Sequence, residues 1–324
     1  MSSCVHTGHS TTGRPSGSAA GLPETALPTV ARTANWAPDL RSLWQLTKPK
    51  VVGAIVFTAL VGMFLATPTV PPLRVVLFAS IGIWLAAASA AALNHLLDRR
   101  FDALMARTRH RPLPRGRISE GATLLFAIVL GFASMAILVG EVNRLAAALT
   151  LASLIGYSVV YTVWLKHATP HNIVIGGAAG AAPPLLGWVA ITGHVEANAL
   201  LASLIVFTWT PPHFWALAIA RRDEYAKAGI PMLPVTHGVD FTATYALLYT
   251  LLLAVVVVLP YLTGMSGLAY LVGSLGLTVI FCGYAIALKL RPDAAHGMRM
   301  FRYSINYLLL LFALLLVDHY IHFQ

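Results

Sequence analysis

The chain has 324 residues, of which 57% are hydrophobic and 10% are charged, and its formal net charge is +10. Its mean hydropathy of +0.73 lies far above the range of soluble domains, which excludes an ordinary soluble enzyme and indicates an integral membrane protein. Nucleic-acid binding is not expected, because the basic residues follow the pattern of membrane topology rather than of a basic binding surface.

The N-terminal residues 1–42 are rich in Ser, Thr, Gly, Ala and Pro and lack the apolar core of a signal peptide. They predict a disordered cytoplasmic tail, followed by one membrane domain over residues 43–324. The two cysteines, Cys4 and Cys282, lie far apart in sequence and in predicted depth. They indicate neither a disulfide nor a metal site.

Apolar segments of membrane-spanning length, about 20 residues each, recur along the rest of the chain. These segments predict an all-α integral membrane protein with nine transmembrane helices. They lie at residues 51–67, 75–97, 121–140, 145–164, 172–192, 199–220, 243–263, 267–288 and 302–321.

The basic residues predict the orientation of these helices. If the N-terminus is cytoplasmic, 20 of the 22 Lys and Arg residues fall on the cytoplasmic side, and only Arg74 and Arg144 fall on the other side. Such a bias predicts a multi-pass protein of the cell inner membrane, surrounded by the lipid bilayer. Helices 2 and 6 both lead into acidic motifs, and helices 4 and 8 into short basic loops, which suggests two four-helix repeats plus one helix.

The stretch "AALNHLLDRRFDALMARTRHRPLPRG" places Asn94, Asp98 and Asp102 four residues apart at the end of helix 2. In a helix this spacing puts all three side chains on one face. Mg2+ prefers oxygen ligands and takes one or two carboxylates together with substrate phosphates. With a second acidic cluster, Asp223 and Glu224, delivered to the same side by helix 6, the sequence predicts a Mg2+ site for a polyanion. The candidate metal ligands are Asn94, Asp98, Asp102 and Asp223.

Two alternatives remain open for these carboxylates. Asp98 and Asp102 could pair with Arg99, Arg100 or Arg107 at a solvated helix end. The protein could also be a secondary transporter, since intramembrane carboxylates mark ion pathways. Transport sites lie near the midplane, whereas these motifs lie at helix ends.

Basic side chains on the same face are candidates for stabilising a departing diphosphate, since guanidinium groups match phosphate geometry. In helix 6, His213 follows Pro211 and Pro212 and is expected either to act in function or to bond to a neighbouring helix. The small residues of helix 5 are explained by close helix packing and would also leave room for a flat ligand. The basic candidates are Lys50, Arg107, Arg111, Lys166, Arg222 and Lys227.

Several long segments resemble the haem-farnesylating branch of the intramembrane aromatic prenyltransferases. They include "NHLLDRRFDALMARTRHRPLP", "LTKPKVV", "YTVWLKHATPHNIVIGGAAGAAPPLLGW", "TWTPPHFWALAI" and "DEYAKAGIPMLPV". The resemblance covers about residues 44 to 306. It implies nine helices around a central, lipid-accessible cavity and two acidic motifs that bind Mg2+ and a prenyl diphosphate.

Residue by residue, the resemblance implies catalytic roles for Asn94, Asp98 and Asp102, and for Asp223 and Glu224 of the second motif. Lys227 stands where many relatives in the wider superfamily carry a second aspartate, so either Asp223 or Glu224 meets the metal. The implied substrate-binding residues are Lys50, Arg107, Thr108, Arg111, Tyr161, Lys166, His213, Arg222, Tyr225 and Lys227.

The implied reaction is farnesyl transfer from farnesyl diphosphate to a vinyl group of haem B, with addition of water, to give haem O for haem A biosynthesis. A haem A synthase or an oxidase assembly protein is a candidate partner. A sister prenyltransferase that acts on quinone precursors or chlorophyllide is the nearest rival. A purely structural subunit of a respiratory complex would not need two acidic motifs.

Overall fold

The computed structural model describes residues 39–322, so residues 1–38 of the expected tail lie outside the described part. Within residues 39–322 the chain forms helices and no strand. A short helix, Leu40–Leu46, comes first, and Asp39 caps it by accepting a hydrogen bond from the Ser42 backbone N–H at 2.8 Å. The helix therefore begins inside the segment that the sequence assigned to the tail.

Nine long helices, numbered α1 to α9, make up the membrane domain. In the described part, eight of them are each long and apolar enough to span a membrane. Helix α1 reaches that length only together with Leu40–Leu46, against which it is bent by 51°. The helices are α1 Pro49–Leu65, α2 Leu73–Leu97, α3 Glu120–Val142, α4 Arg144–Leu165, α5 Asn172–Thr192, α6 Ala197–Ala220, α7 Val239–Leu262, α8 Leu268–Leu290 and α9 Ala294–His322. This confirms the predicted all-α fold, with eight spans, or nine if the bent pair crosses the membrane as one.

The largest deviation from the predicted boundaries is the start of α9, at Ala294 rather than at residue 302. The part of this helix before residue 302 carries His296 and Arg299. Hydropathy detects only the apolar part of a helix, so it misses a polar end that extends beyond the hydrocarbon.

Two helices change their winding before they end. The last part of α3, Leu138–Val142, and the last part of α4, Gly156–Leu165, are π-helical. In the latter, the Thr162 hydroxyl donates to the Tyr157 carbonyl, five residues earlier, at 2.8 Å. π-Helical turns are rare and occur frequently at functional sites.

Helix α1 packs backbone to backbone against the second part of α5. A Cβ atom added to Gly187 would lie 1.9 Å from the carbonyl oxygen of Ala59, and one added to Gly62 would lie 2.1 Å from that of Pro184. Only glycine permits this approach, so small residues of α5 serve close packing, as the sequence allowed.

Helix α2 packs along α3, and the corresponding pair α6 and α7 packs in the same way. The main buried cluster lies among α6 to α9 and contains Trp215, Phe281, Tyr307 and Phe312.

Large apolar side chains such as Phe132 and Val279 are exposed on the outside of the bundle. An apolar exterior of this extent suits contact with lipid tails.

Candidate active site

The predicted acidic motif lies where α2 ends. The Asp98 backbone N–H donates to the Asn94 carbonyl at 3.0 Å, and the Asp102 N–H donates to the Asp98 carbonyl at 2.8 Å. The chain thus passes from α2 into the short helix Arg99–Leu104 with its helical hydrogen bonds continued across the junction. Asn94 Nδ2 donates to Asp98 Oδ2 at 2.8 Å, and all three motif residues are buried.

Each carboxylate of this motif has a basic partner from another part of the chain. Lys166 Nζ lies 2.6 Å from Asp98 Oδ2, and Arg111 Nη1 lies 2.7 Å from Asp102 Oδ2. The aspartate side chains are only 7% and 3% exposed. At this depth an ion pair must be well matched, because removal of either partner leaves a buried charge.

The local pairs proposed as an alternative are not the ones that form. Arg99 pairs with Glu120, whereas Arg100 and Arg107 are exposed. The partners that do form pairs come from the loop after the motif and from the end of α4. Proximity in sequence therefore does not identify the partner of Asp98, because the bundle brings the end of α4 beside the end of α2.

Lys48 completes the network from the side of α1. Its Nζ donates to Asn94 Oδ1, and its φ of 48° makes it the one non-glycine residue between 39 and 322 with a left-handed backbone. Such strained residues cluster at functional sites. Lys50, which the sequence had suggested, is exposed on the first turn of α1, and it is Lys48 that bonds to the motif.

The basic loop is anchored to the motif at its buried end. The Thr108 hydroxyl donates to the Asp102 backbone carbonyl at 2.9 Å, and Thr108 is buried. Burial raises the pKa of the Asp102 carboxyl, and the positive charge of Arg111 acts in the opposite direction. Thr108 thus holds the loop, and Arg111 balances the buried charge.

The tyrosine of the second acidic motif faces the basic loop that follows the first motif. Tyr225 is buried, and its hydroxyl is within electrostatic range of Arg107 and Arg111. Burial raises the pKa of this hydroxyl, and the positive charge of Arg107 is the largest influence in the opposite direction. The tyrosine therefore links the helix Arg222–Lys227 to the basic loop.

The other side chains of that helix point elsewhere. Glu224 pairs with Arg221 at 2.9 Å, and Arg222 Nε donates to the Pro234 carbonyl at 3.1 Å. Asp223 and Glu224 line a separate cavity of about 320 Å3, while Lys227 is exposed. In the described part of the chain, no three His, Cys, Asp or Glu side chains come together to bind a metal. The expected meeting of both carboxylate clusters is thus not present in this structure.

Aromatic side chains from the π-helical part of α4 lie beside the first motif. Tyr157 and Tyr161 stack with ring centroids 5.5 Å apart, and both are within electrostatic range of Asp98. The ring of Tyr161 occupies the space that a side chain at Gly176 would fill. Tyr161 was expected from sequence, whereas Tyr157 was not.

His213 bonds to a neighbouring helix, one of the two roles expected for it. Its Nδ1 lies 2.6 Å from Ser304 Oγ, which donates its own proton to the Phe301 carbonyl at 2.7 Å. Since the serine proton is used, His213 Nδ1 carries the donated proton. The imidazole also stacks on Trp209 and Phe301.

A basic vestibule opens beside the acidic motif, between the helix Leu40–Leu46, the end of α2 and the loop that follows it. Its volume is about 460 Å3, and it also contains His95, a buried residue with no hydrogen-bond partner on either ring nitrogen. Sequence reasoning missed His95, although it directly follows Asn94. The Lys and Arg side chains that line the vestibule are Arg41, Lys48, Arg111, Arg115 and Arg117.

Comparison with known proteins assigns the family. The model of the UbiA prenyltransferase family matches residues 55–314. The chain belongs to the UbiA prenyltransferase family. It is 59% identical over 281 residues to a protein of Photobacterium profundum named protoheme IX farnesyltransferase, covering 87% of this chain and 89% of that protein. A protein of the same name from Methylococcus capsulatus is 60% identical, with 87% and 94% covered.

Solved structures of UbiA proteins share the fold. A digeranylgeranylglyceryl phosphate synthase superposes with a TM-score of 0.72 at 18% identity, covering 87% of this chain and 98% of that one. A UbiA homologue from Archaeoglobus fulgidus, bound to DMAPP and Mg2+, superposes with a TM-score of 0.61 at 17% identity, covering 85% and 99%. These likenesses establish the nine-helix UbiA fold for this chain.

Proposed function

We propose that this UbiA protein transfers the farnesyl group of farnesyl diphosphate to a vinyl group of haem B, with addition of water, to give haem O and diphosphate. This is a step of haem A biosynthesis for terminal oxidases. The observation that carries the chemistry is the buried pair of carboxylates, Asp98 and Asp102, each held by a cation from another element. The choice of haem rests on the relatives named protoheme IX farnesyltransferase.

The donor set of the acidic motif fits Mg2+. Asp98, Asp102 and Asn94 are all buried, and the Asn94 amide meets Asp98 through its nitrogen and Lys48 through its oxygen. Mg2+ in proteins binds to one or two carboxylates and to substrate phosphates. When bound there, the metal would neutralise the diphosphate and make it a better leaving group. The Mg2+ in the Archaeoglobus fulgidus relative supports this proposal.

The basic side chains of the site have a second role once the carboxylates hold a metal. Lys166, Arg111 and Lys48 then provide positive charge for the diphosphate oxygens, where charge develops as the bond to carbon breaks. Arginine also offers a planar fork that matches phosphate. These three residues would therefore bind and stabilise the leaving group.

The transfer needs no covalent intermediate with the protein. The bond between farnesyl C1 and the diphosphate oxygen breaks, and its electron pair leaves with the diphosphate. The π electrons of the haem vinyl group form the new carbon–carbon bond to C1, and water adds to the resulting cation and loses a proton. The aromatic rings of Tyr157 and Tyr161 lie beside the first motif. There they would limit early capture of the allylic cation by water.

The direct test is incubation of purified protein with haem B, farnesyl diphosphate and Mg2+, followed by mass spectrometry of the haem. The expected product is haem B with one farnesyl group and one water added. A parallel incubation replaces haem B with a quinone precursor. If the quinone precursor is prenylated and haem B is unchanged, the protein would instead be a prenyltransferase that acts on quinone precursors.

A secondary transporter is the alternative from another class. Its sites lie near the membrane midplane, whereas Asp98 and Asp102 lie at and just beyond the end of α2. Their ion pairs with Lys166 and Arg111 also join the carboxylates to residues at the ends of elements rather than in helix centres. The geometry favours an interfacial reaction site over a transport pathway.

Lys48 and Lys50 offer a matched pair of substitutions. We expect Lys48→Gln to lower turnover by about ten- to a hundredfold, because it removes a charge-assisted contact worth roughly 1.5–3 kcal/mol. Lys50→Gln, two residues along and exposed, should change turnover less than about twofold. The measurement is the initial rate of haem O formation. Equal losses would assign the effect to folding or insertion.

The proposed orientation, with the N-terminus in the cytoplasm, is testable by cysteine labelling. In a chain whose own two cysteines are replaced by serine, Arg109→Cys and Ala226→Cys should react from the cytoplasmic side, and Glu196→Cys from the opposite side. All three positions are exposed, and none requires a left-handed backbone. Labelling of positions 109 and 226 from opposite faces would contradict a single site at one membrane surface.

A further inference from the structure

The basic vestibule is suited to direct binding of an anion. Among residues 39–322, its lining contains five Lys and Arg side chains and no Asp or Glu. The nearest described acidic group in electrostatic range of Arg41 and Arg117 is Asp39, whose carboxylate caps the helix Leu40–Leu46. The described wall of the vestibule lacks the carboxylates through which Mg2+ is held in proteins, so an anion there would contact the cations themselves.

His95 supplies a second, independent indication of a ligand. Its residue surface is only 2% exposed, it lines the vestibule, and neither of its ring nitrogens has a hydrogen-bond partner in the structure. Buried polar groups are almost always bonded, so an unpaired one needs an explanation. A ligand oxygen in the vestibule would accept a hydrogen bond from this imidazole.

The vestibule adjoins the proposed metal motif without containing it. Lys48 and Arg111 line the vestibule and also bond to Asn94 and Asp102. Asp98 and its partner Lys166 do not line it. An anion in the vestibule would therefore lie beside the diphosphate, separated from it by these two shared cations.

We propose that the vestibule binds the propionate groups of haem B, an inference that rests on the proposed function. The two substrates carry two kinds of anion, the diphosphate and the haem propionates. Only the diphosphate binds through a metal, so only the diphosphate needs the carboxylate motif. Propionates need cations and hydrogen-bond donors without a metal, and the guanidinium fork matches a carboxylate. Arg41, Arg115 and His95 provide these groups, while the apolar face of the macrocycle would lie towards the bundle.

The test compares haem B with its dimethyl ester, in which both propionates are neutral. Binding of each to the full chain is titrated by absorbance, for the wild type and for Arg41→Gln and Arg115→Gln. Both arginines are exposed and come from different elements, so a folding defect in both is not expected. Arg109→Gln, an exposed position of the same loop outside the vestibule, is the matched control.

We expect each vestibule variant to weaken haem B binding about tenfold, the loss of one charge-assisted contact. Binding of the dimethyl ester and Mg2+-dependent binding of farnesyl diphosphate should stay unchanged, as should all binding by Arg109→Gln. Equal binding of haem B and its ester by a wild type that forms haem O would overturn the inference while leaving the function intact. So would weaker farnesyl diphosphate binding with unchanged haem binding, which would make the vestibule a diphosphate site. A wild type that forms no haem O would overturn the function and this inference together.

Discussion

Replacing Asp98 by asparagine should lower the rate of haem O formation about a thousandfold, the effect expected from loss of a preorganised charged group at a transition state. The substitution keeps the shape of the side chain and removes the charge that would attract Mg2+. It also leaves the Lys166 ammonium, whose side chain is 12% exposed, without its counter-ion. Both effects act on the diphosphate side of the reaction.

The control is an aspartate that pairs with lysine at the surface. Asp240 accepts from Lys289 at 2.6 Å, but its side chain is 74% exposed, and surface pairs contribute about 0–1 kcal/mol. Asp240→Asn should therefore be nearly silent in rate and in thermal unfolding.

The binding readout separates the chemistry from haem recognition. Asp98→Asn should lose Mg2+-dependent binding of farnesyl diphosphate and keep binding of haem B, since no carboxylate of this motif lines the vestibule. The opposite result, with retained diphosphate binding and lost haem binding, would show that the motif contributes to haem binding rather than to diphosphate binding.

The parts of the fold that depend on composition were predictable from sequence. A span of about 20 apolar residues can be recognised from its own composition, because a lipid-facing helix must be apolar along its length. The four-residue spacing of Asn94, Asp98 and Asp102 likewise needs only the helical repeat. These features are local, so one sequence is enough to predict them.

Arg111 and Lys166 were both expected near the motif, but which cation pairs with which carboxylate depends on packing and was not predictable. Lys48 enters the site because the chain takes a left-handed conformation just before Pro49, and no residue pattern distinguished it from Lys50. Lys166 follows ten residues of π-helix, which shifts the direction of every later side chain relative to an α-helix. Apolar periodicity assumes 3.6 residues per turn and therefore could not orient this end of α4.

The second motif shows the same limit. Its composition, Asp223, Glu224 and Tyr225, predicted carboxylates facing the first motif. In the structure Tyr225 takes the inner position, and the carboxylates line the cavity on the other side. The helix Arg222–Lys227 has only six residues, so a small rotation of this short element decides which side chain faces inward.

Replacing Gly187 by alanine should prevent stable packing of α1 against α5. The added Cβ would lie 1.9 Å from the Ala59 carbonyl oxygen, where ordinary contact begins at 3.4 Å. The obstacle is backbone of a facing helix rather than a flexible side chain, so the two helices must separate. Overpacking of this kind costs about 1–3 kcal/mol and sometimes more, and we expect a lower unfolding temperature or no recoverable folded protein.

Gly180→Ala in α5, with no atom within 4 Å of the new Cβ, is the matched control. Thermal unfolding in detergent, followed by size-exclusion chromatography, measures both variants. Equal unfolding temperatures for Gly187→Ala and the wild type would show that α1 and α5 do not approach as closely as described.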